Sequence, residues 1–138
     1  MALLRAHAAT TRKLNAQLLA DHDLTLSDFE VLLRLARAPD RRMRRVDLAQ
    51  QVLLTASGVT RLLDGLERTG LVARDSCDTD RRVVYAVLTD AGVAKIREAS
   101  ASHFAQVDEM FSGRFDQTEL QQLASLLSRL DAGEAESC

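Results

Sequence analysis

The chain has no tryptophan, one tyrosine and four phenylalanines among its 138 residues. Alanine, leucine and arginine dominate instead, a composition that favours helix. Cysteine is scarce as well. Cys77 and Cys138 are too few and too far apart for a disulfide framework, which fits a reducing cytoplasm. No uncharged apolar run reaches the roughly 20 residues that a membrane-spanning helix needs. The amino terminus, Met1-Ala2-Leu3-Leu4-Arg5-Ala6-His7, has neither the apolar core nor the cleavage-type ending of a signal peptide. The expectation is a soluble cytoplasmic protein with no membrane partner. No Ser, Cys or His stands at a spacing that suggests a nucleophile with its base, and there is no glycine-rich phosphate loop, so no catalytic residue is expected. His7, His22 and His103 show no ligand spacing among themselves or with the cysteines. Neither a metal nor another cofactor is expected.

What is present is arginine, unevenly placed. The formal net charge of −2 argues at first against a nucleic-acid partner, but distribution matters more than the sum. From Arg34 to Arg82 there are eleven Arg and no Lys against seven acidic residues, a balance of +4. The remainder of the chain carries −6, an acidic part that can face away from a polyanion.

Apolar spacing places the elements. Ala2 to about Asp21 reads as a helix, and Ser27 is expected to cap a second one through Phe29, Leu32, Leu33 and Ala36, ended by Pro39. Met43-Arg44-Arg45 reads as a short strand, and Val46 to Val52 as a short helix. A further helix is expected from Thr55 to Arg68, stopped by Thr69-Gly70. Its residues Val59, Leu62, Leu63 and Leu66 follow i, i+3, i+4, i+7 and bury one stripe, leaving Ser57, Thr60, Arg61, Asp64 and Arg68 on the other side. Leu71 to Arg74 and Val83 to Leu88 read as two strands around a polar turn, Asp75 to Arg82. Thr89 is expected to cap a long helix through Ile96 and Phe111, and Asp116 to open a last one carrying Leu120, Leu123, Leu126, Leu127 and Leu130. Asp131 to Cys138 reads as a polar, frayed tail.

A helix with hydroxyls and an arginine on its free face, followed by an arginine-tipped hairpin, suits a duplex: the helix enters the major groove and the hairpin the next minor groove. Arg61 is the candidate for a bidentate guanine contact, with Ser57 and Thr60 for phosphate or base edges. Arg81 and Arg82 are placed to enter a narrow minor groove. Asp80 is read as orienting an arginine, because a bare carboxylate repels phosphate. Within the basic run Arg41, Arg42, Arg44 and Arg45, one or two residues are candidates for phosphate contacts and the others for a solvated face.

This ordered set resembles the multiple-antibiotic-resistance regulator (MarR) family of bacterial transcription factors. The resemblance rests on Ser57-Gly58-Val59-Thr60-Arg61-Leu62, Leu66-Glu67-Arg68-Thr69-Gly70-Leu71-Val72, Asp80-Arg81-Arg82 and Leu88-Thr89-Asp90-Ala91-Gly92, with Leu26 to Leu32 and Asp47-Leu48-Ala49 upstream. It implies a mainly α fold with a small β-wing, and one domain over residues 1–138. The winged helix-turn-helix would span about 26–92, with dimerisation helices at about 1–22 and 90–132. It also implies a regulator, a repressor of nearby genes, that binds a palindromic double-stranded operator as a homodimer. Two departures stand out. Val46 occupies the place where the family caps the first helix of the motif with Ser or Thr. Gly65 replaces an arginine that would pair with Asp80.

Excess apolar surface on the first helix and the last two calls independently for a second copy. The resemblance further implies release by a small aromatic ligand held near His7, Phe29, Leu33 and His103, residues that ordinary core packing explains equally. Two alternatives remain: a redox sensor working through Cys77, and a winged helix used only for protein–protein assembly. The second has no need of arginine at both the helix and the wing tip.

Overall fold

A computed structural model of the chain describes residues 1–52, 54 and 56–131. The expected residues Leu53, Thr55 and the tail from 132 to Cys138 lie outside it, so the proposed start at Thr55 is not addressed. The described elements are α1 (Ala2–His22), α2 (Leu26–Arg37), a 3-10 turn (Pro39–Arg41), β1 (Arg42–Arg44), α3 (Arg45–Gln51), α4 (Ala56–Arg68), β2 (Val72–Ser76), β3 (Val84–Leu88), α5 (Asp90–Ser112) and α6 (Gln117–Asp131). The chain divides into two compact units, 1–103 and 104 onward. No described helix is long and apolar enough to cross a membrane.

The first unit holds the core. Leu18, Val31, Leu32, Leu35, Leu48, Val59 and Leu63 are almost wholly buried. They come from α1, α2, α3 and α4, and Val72, Ala86 and Leu88 of the sheet join the same cluster. The sheet is antiparallel in the order β1-β3-β2, with Met43 opposite Ala86 and Arg74 opposite Ala86 on the other side. β2 and β3 form the hairpin, closed at its tip by the Cys77 N–H donating to the Val83 carbonyl at 3.1 Å. The α3–α4 pair followed by this hairpin is the winged helix-turn-helix that the resemblance implies.

Local chemistry explains the boundaries and corrects several of them. β2 runs from Val72 to Ser76 rather than from Leu71 to Arg74, so Asp75 and Ser76 pair in the strand instead of the turn, and β3 starts at Val84 rather than Val83. Thr25, not Ser27, caps α2: its hydroxyl accepts from Asp28 N–H at 3.0 Å while the Asp28 carboxylate accepts from Thr25 N–H at 2.9 Å. Ser27 lies inside the helix. The reciprocal pair satisfies two end donors at once, which a lone Ser27 hydroxyl cannot. β1 starts one residue earlier than expected, and α3 begins at Arg45, so Val46 is its second residue and Arg44 holds the cap position without a side-chain bond. Ala36 is exposed and Leu35 takes the buried place.

α4 ends as its Thr-Gly pair predicts. Gly70 adopts φ 76°, its N–H donates to Glu67 at 3.0 Å and that of Leu71 to Leu66 at 3.0 Å. This double closure is the Schellman arrangement, and its left-handed position favours glycine. Thr89 then joins that turn to α5. Its hydroxyl donates to the Gly70 carbonyl at 2.7 Å and accepts from Gly92 N–H at 3.0 Å.

In the second unit, Asp116 and Glu119 form a capping box at the start of α6, with bonds of 2.8 and 2.9 Å. Leu126, Leu127 and Leu130 are exposed along that helix, as is Phe115 just before it.

Candidate nucleic-acid interface

The candidate surface is built on α4, whose buried stripe of Val59, Leu63 and Leu66 fixes which side faces out. Ser57, Thr60 and Arg61 are exposed on that outer side. Arg61 has no carboxylate within salt-bridge range among the described residues. Its guanidinium therefore keeps both donors of its fork for another acceptor.

The wing tip carries Arg81 and Arg82, both exposed. Asp80 folds back on its neighbour: its Oδ1 accepts from Arg82 N–H at 3.0 Å and from Arg82 Nε at 3.1 Å. The Arg82 side-chain bond, with help from the backbone one, holds the Asp80 carboxyl below its ordinary pKa. Asp80 thus finds a partner within its own turn, where Gly65 offers none. It is thus ion-paired with an arginine of the wing tip.

Thr60 of α4 and Arg82 of the wing meet across a cleft of about 280 Å³, whose other walls include Arg44 and Arg45. Three guanidinium-bearing residues and a hydroxyl, from β1, α3, α4 and the wing turn, thus line one cleft. One Arg45 guanidinium nitrogen is buried with no hydrogen-bond partner among the described residues. The basic run divides. Arg41 is tied to Asp90 at 3.2 Å, and Arg42 to Asp75 at 3.1 Å while lying 3.9 Å over the Tyr85 ring. Arg44 and Arg45 remain at the cleft.

One functional arrangement was missed in the sequence. Arg74 of β2 reaches back to α4, donating from one guanidinium nitrogen to Asp64 at 3.1 Å and from Nε to Glu67 at 3.2 Å. Asp64 and Glu67 line an open groove on α4 together with Arg61 and Arg68. Acidic residues three apart on one helix, followed closely by a strand arginine, are the signal that could have revealed it.

The expected ligand residues are only partly brought together. Phe29 and His103 pack ring against ring at 4.4 Å, both buried. Burial lowers the His103 pKa. His7 is exposed in the first part of α1, before that helix reaches the core at Leu14. Leu33 lines a different groove, with Arg34, Arg42 and Tyr85. Cys77 is half-buried, 3.1 Å from the Thr79 hydroxyl. Hydrogen bonds from that hydroxyl first, and then from the Thr79 and Asp80 backbone, lower its pKa.

Comparison with known proteins decides what this arrangement is. The MarR family model matches residues 22–83. The transcriptional repressor YetL of Bacillus subtilis is 30% identical across 80% of this chain and 68% of its own length. AbsC of Streptomyces coelicolor, a MarR family transcriptional regulator, is 30% identical over 97% of this chain and 93% of its own, with a TM-score of 0.84. The chain belongs to the MarR family. It is a helix-turn-helix transcriptional regulator with the winged fold of that family. The HTH-type transcriptional regulator MhqR of Bacillus subtilis is 28% identical over 93% of this chain and 86% of its own. A Streptomyces coelicolor MarR regulator solved with DNA is 26% identical, covers 99% of this chain and 85% of its own, and superimposes with a TM-score of 0.93.

Proposed function

We propose that this MarR-family regulator is a cytoplasmic repressor that binds a palindromic operator as a homodimer, reading bases with α4 and the minor groove with the wing. The observation that carries the reading is that Thr60, Arg82, Arg44 and Arg45 line one cleft, while Arg61 on the same helix as Thr60 has no carboxylate partner among the described residues. Ser57, Thr60 and Arg61 supply the major-groove contacts and Arg81 with Arg82 the minor-groove ones. Asp80 acts by holding Arg82. Support also comes from the Streptomyces coelicolor relative solved in complex with DNA.

The second copy is proposed on exposed apolar side chains in the terminal helices: Leu4 and Leu19 on α1, and Leu126, Leu127 and Leu130 on α6. Exposed apolar side chains of this kind call for a partner, and two recognition helices roughly 34–36 Å apart would match one turn of DNA. The test is selection from a random duplex pool followed by fluorescence anisotropy and light scattering. An enriched palindrome bound by a dimer supports the reading; no enrichment ends it.

Release by a small aromatic ligand is the further proposal from family membership, with Phe29 and His103 its best-placed residues. Displacement of the selected duplex by aromatic acids or phenols tests it. The thiol alternative rests on Cys77. It requires that oxidant lower the affinity of the wild type and leave Cys77→Ser unaffected.

A further inference from the structure

The recognition helix carries a liability. Asp64 and Glu67 share the groove with Arg61 and Arg68, where phosphate is to approach. Two carboxylates one helical turn apart repel each other and repel a polyanion. Arg74 meets both at once, at 3.1 and 3.2 Å. Its planar fork suits that double contact, since separate nitrogens serve the two acids. All three side chains remain partly exposed, between 29% and 48%. Surface ion pairs of this kind contribute little to folding, so stability is a poor reason for the arrangement. Charge at the reading surface is a better one.

We propose that Arg74 is a positioning residue for operator binding, which chelates Asp64 and Glu67 and so masks the acidic part of the recognition helix from DNA phosphate. The inference rests on the DNA-binding reading above. It departs from a direct role for Arg74, because here the arginine acts through the two acids.

The experiment uses the full chain and a duplex selected from a random pool by the wild type. If the wild type selects no duplex, the DNA-binding reading itself fails. Given a selected duplex, Arg74→Ala should weaken binding about tenfold, as exposed like charge at an interface does. Adding Asp64→Asn and Glu67→Gln to that variant should return affinity to roughly the wild-type level, because the charges to be masked are gone. Arg74→Lys should fall between, since an ammonium is a point charge without the fork. Circular dichroism melting checks the fold, with Arg74→Gln replacing Arg74→Ala if the latter melts early. A triple variant no better than Arg74→Ala would mean that Arg74 touches DNA itself and overturns the proposal. So would Arg74→Ala binding like wild type.

Discussion

At the residue scale, the candidate surface separates arginines that are committed from those that are available. Arg41, Arg42, Arg74 and Arg82 each hold a carboxylate at 3.1–3.2 Å. Arg61 and Arg81 hold none among the described residues. Arg61→Ala should cost about 1–3 kcal/mol of operator affinity and relax selectivity at one base pair per half-site. The paired change of Arg81 and Arg82 to Ala should weaken binding to most sequences and lower the salt slope, because it removes charge near the backbone and minor groove. Anisotropy titrations on single-base operator variants separate the two, and equal defects at every variant would count against a base-reading Arg61. His103 supplies a pH prediction. Burial against Phe29 disfavours its charged form, so its folded pKa lies below the unfolded one. The unfolded chain then binds the extra proton first, and stability should fall as pH drops from about 6.5 toward the folded pKa. Melting temperatures from pH 7.5 down to 5.5 should show that slope, and His103→Gln should flatten it.

At the scale of elements, the junction of α4, the wing and α5 is built around small groups. A methyl at Gly92 would run into the Leu71 carbonyl oxygen and the Leu88 side chain. The obstacle includes backbone, which cannot swing aside. Gly92→Ala should therefore destabilise by about 1–3 kcal/mol or more, read as a lower melting temperature with unchanged helix content at low temperature. Much of this scale was legible in the sequence. Thr89, Asp116 and the Thr69-Gly70 stop were placed by their own hydrogen-bonding chemistry, which acts within a few residues. The stripe Val59, Leu63, Leu66 was legible because one helix face meets one core. What escaped depended on longer reach. Ser27 lost the cap to Thr25 because Asp28 completes the box, and Arg74 could not be assigned until β2 was folded back beside α4. That Asp80 would meet an arginine was legible, yet which one, Arg82, depended on the turn's shape. His7 failed to join Phe29 and His103 because residue type says nothing about which turn of a long helix reaches the core.

At the scale of the whole molecule, the acidic net charge and the basic window act on different properties. The sum bears on solubility, while in the DNA-binding reading proposed above the arginines of residues 34–82 bear on encounter with DNA. Log affinity for the selected duplex should fall linearly with log salt, with a slope of about −0.9 for each phosphate neutralised. A flat response across salt concentrations would remove the electrostatic basis of the reading. The same window contains no lysine at all, and Lys13 and Lys95 are the only two in the chain. Lysine acetylation and amine-reactive reagents therefore have no target on the recognition helix or the wing. Guanidinium groups also keep their charge far above the pH at which an ammonium loses it. A chain labelled with an amine-reactive dye should bind its duplex as the untreated chain does, whereas an arginine-directed dicarbonyl should abolish binding. The reading surface is chemically silent to one large class of protein modification and exposed to another.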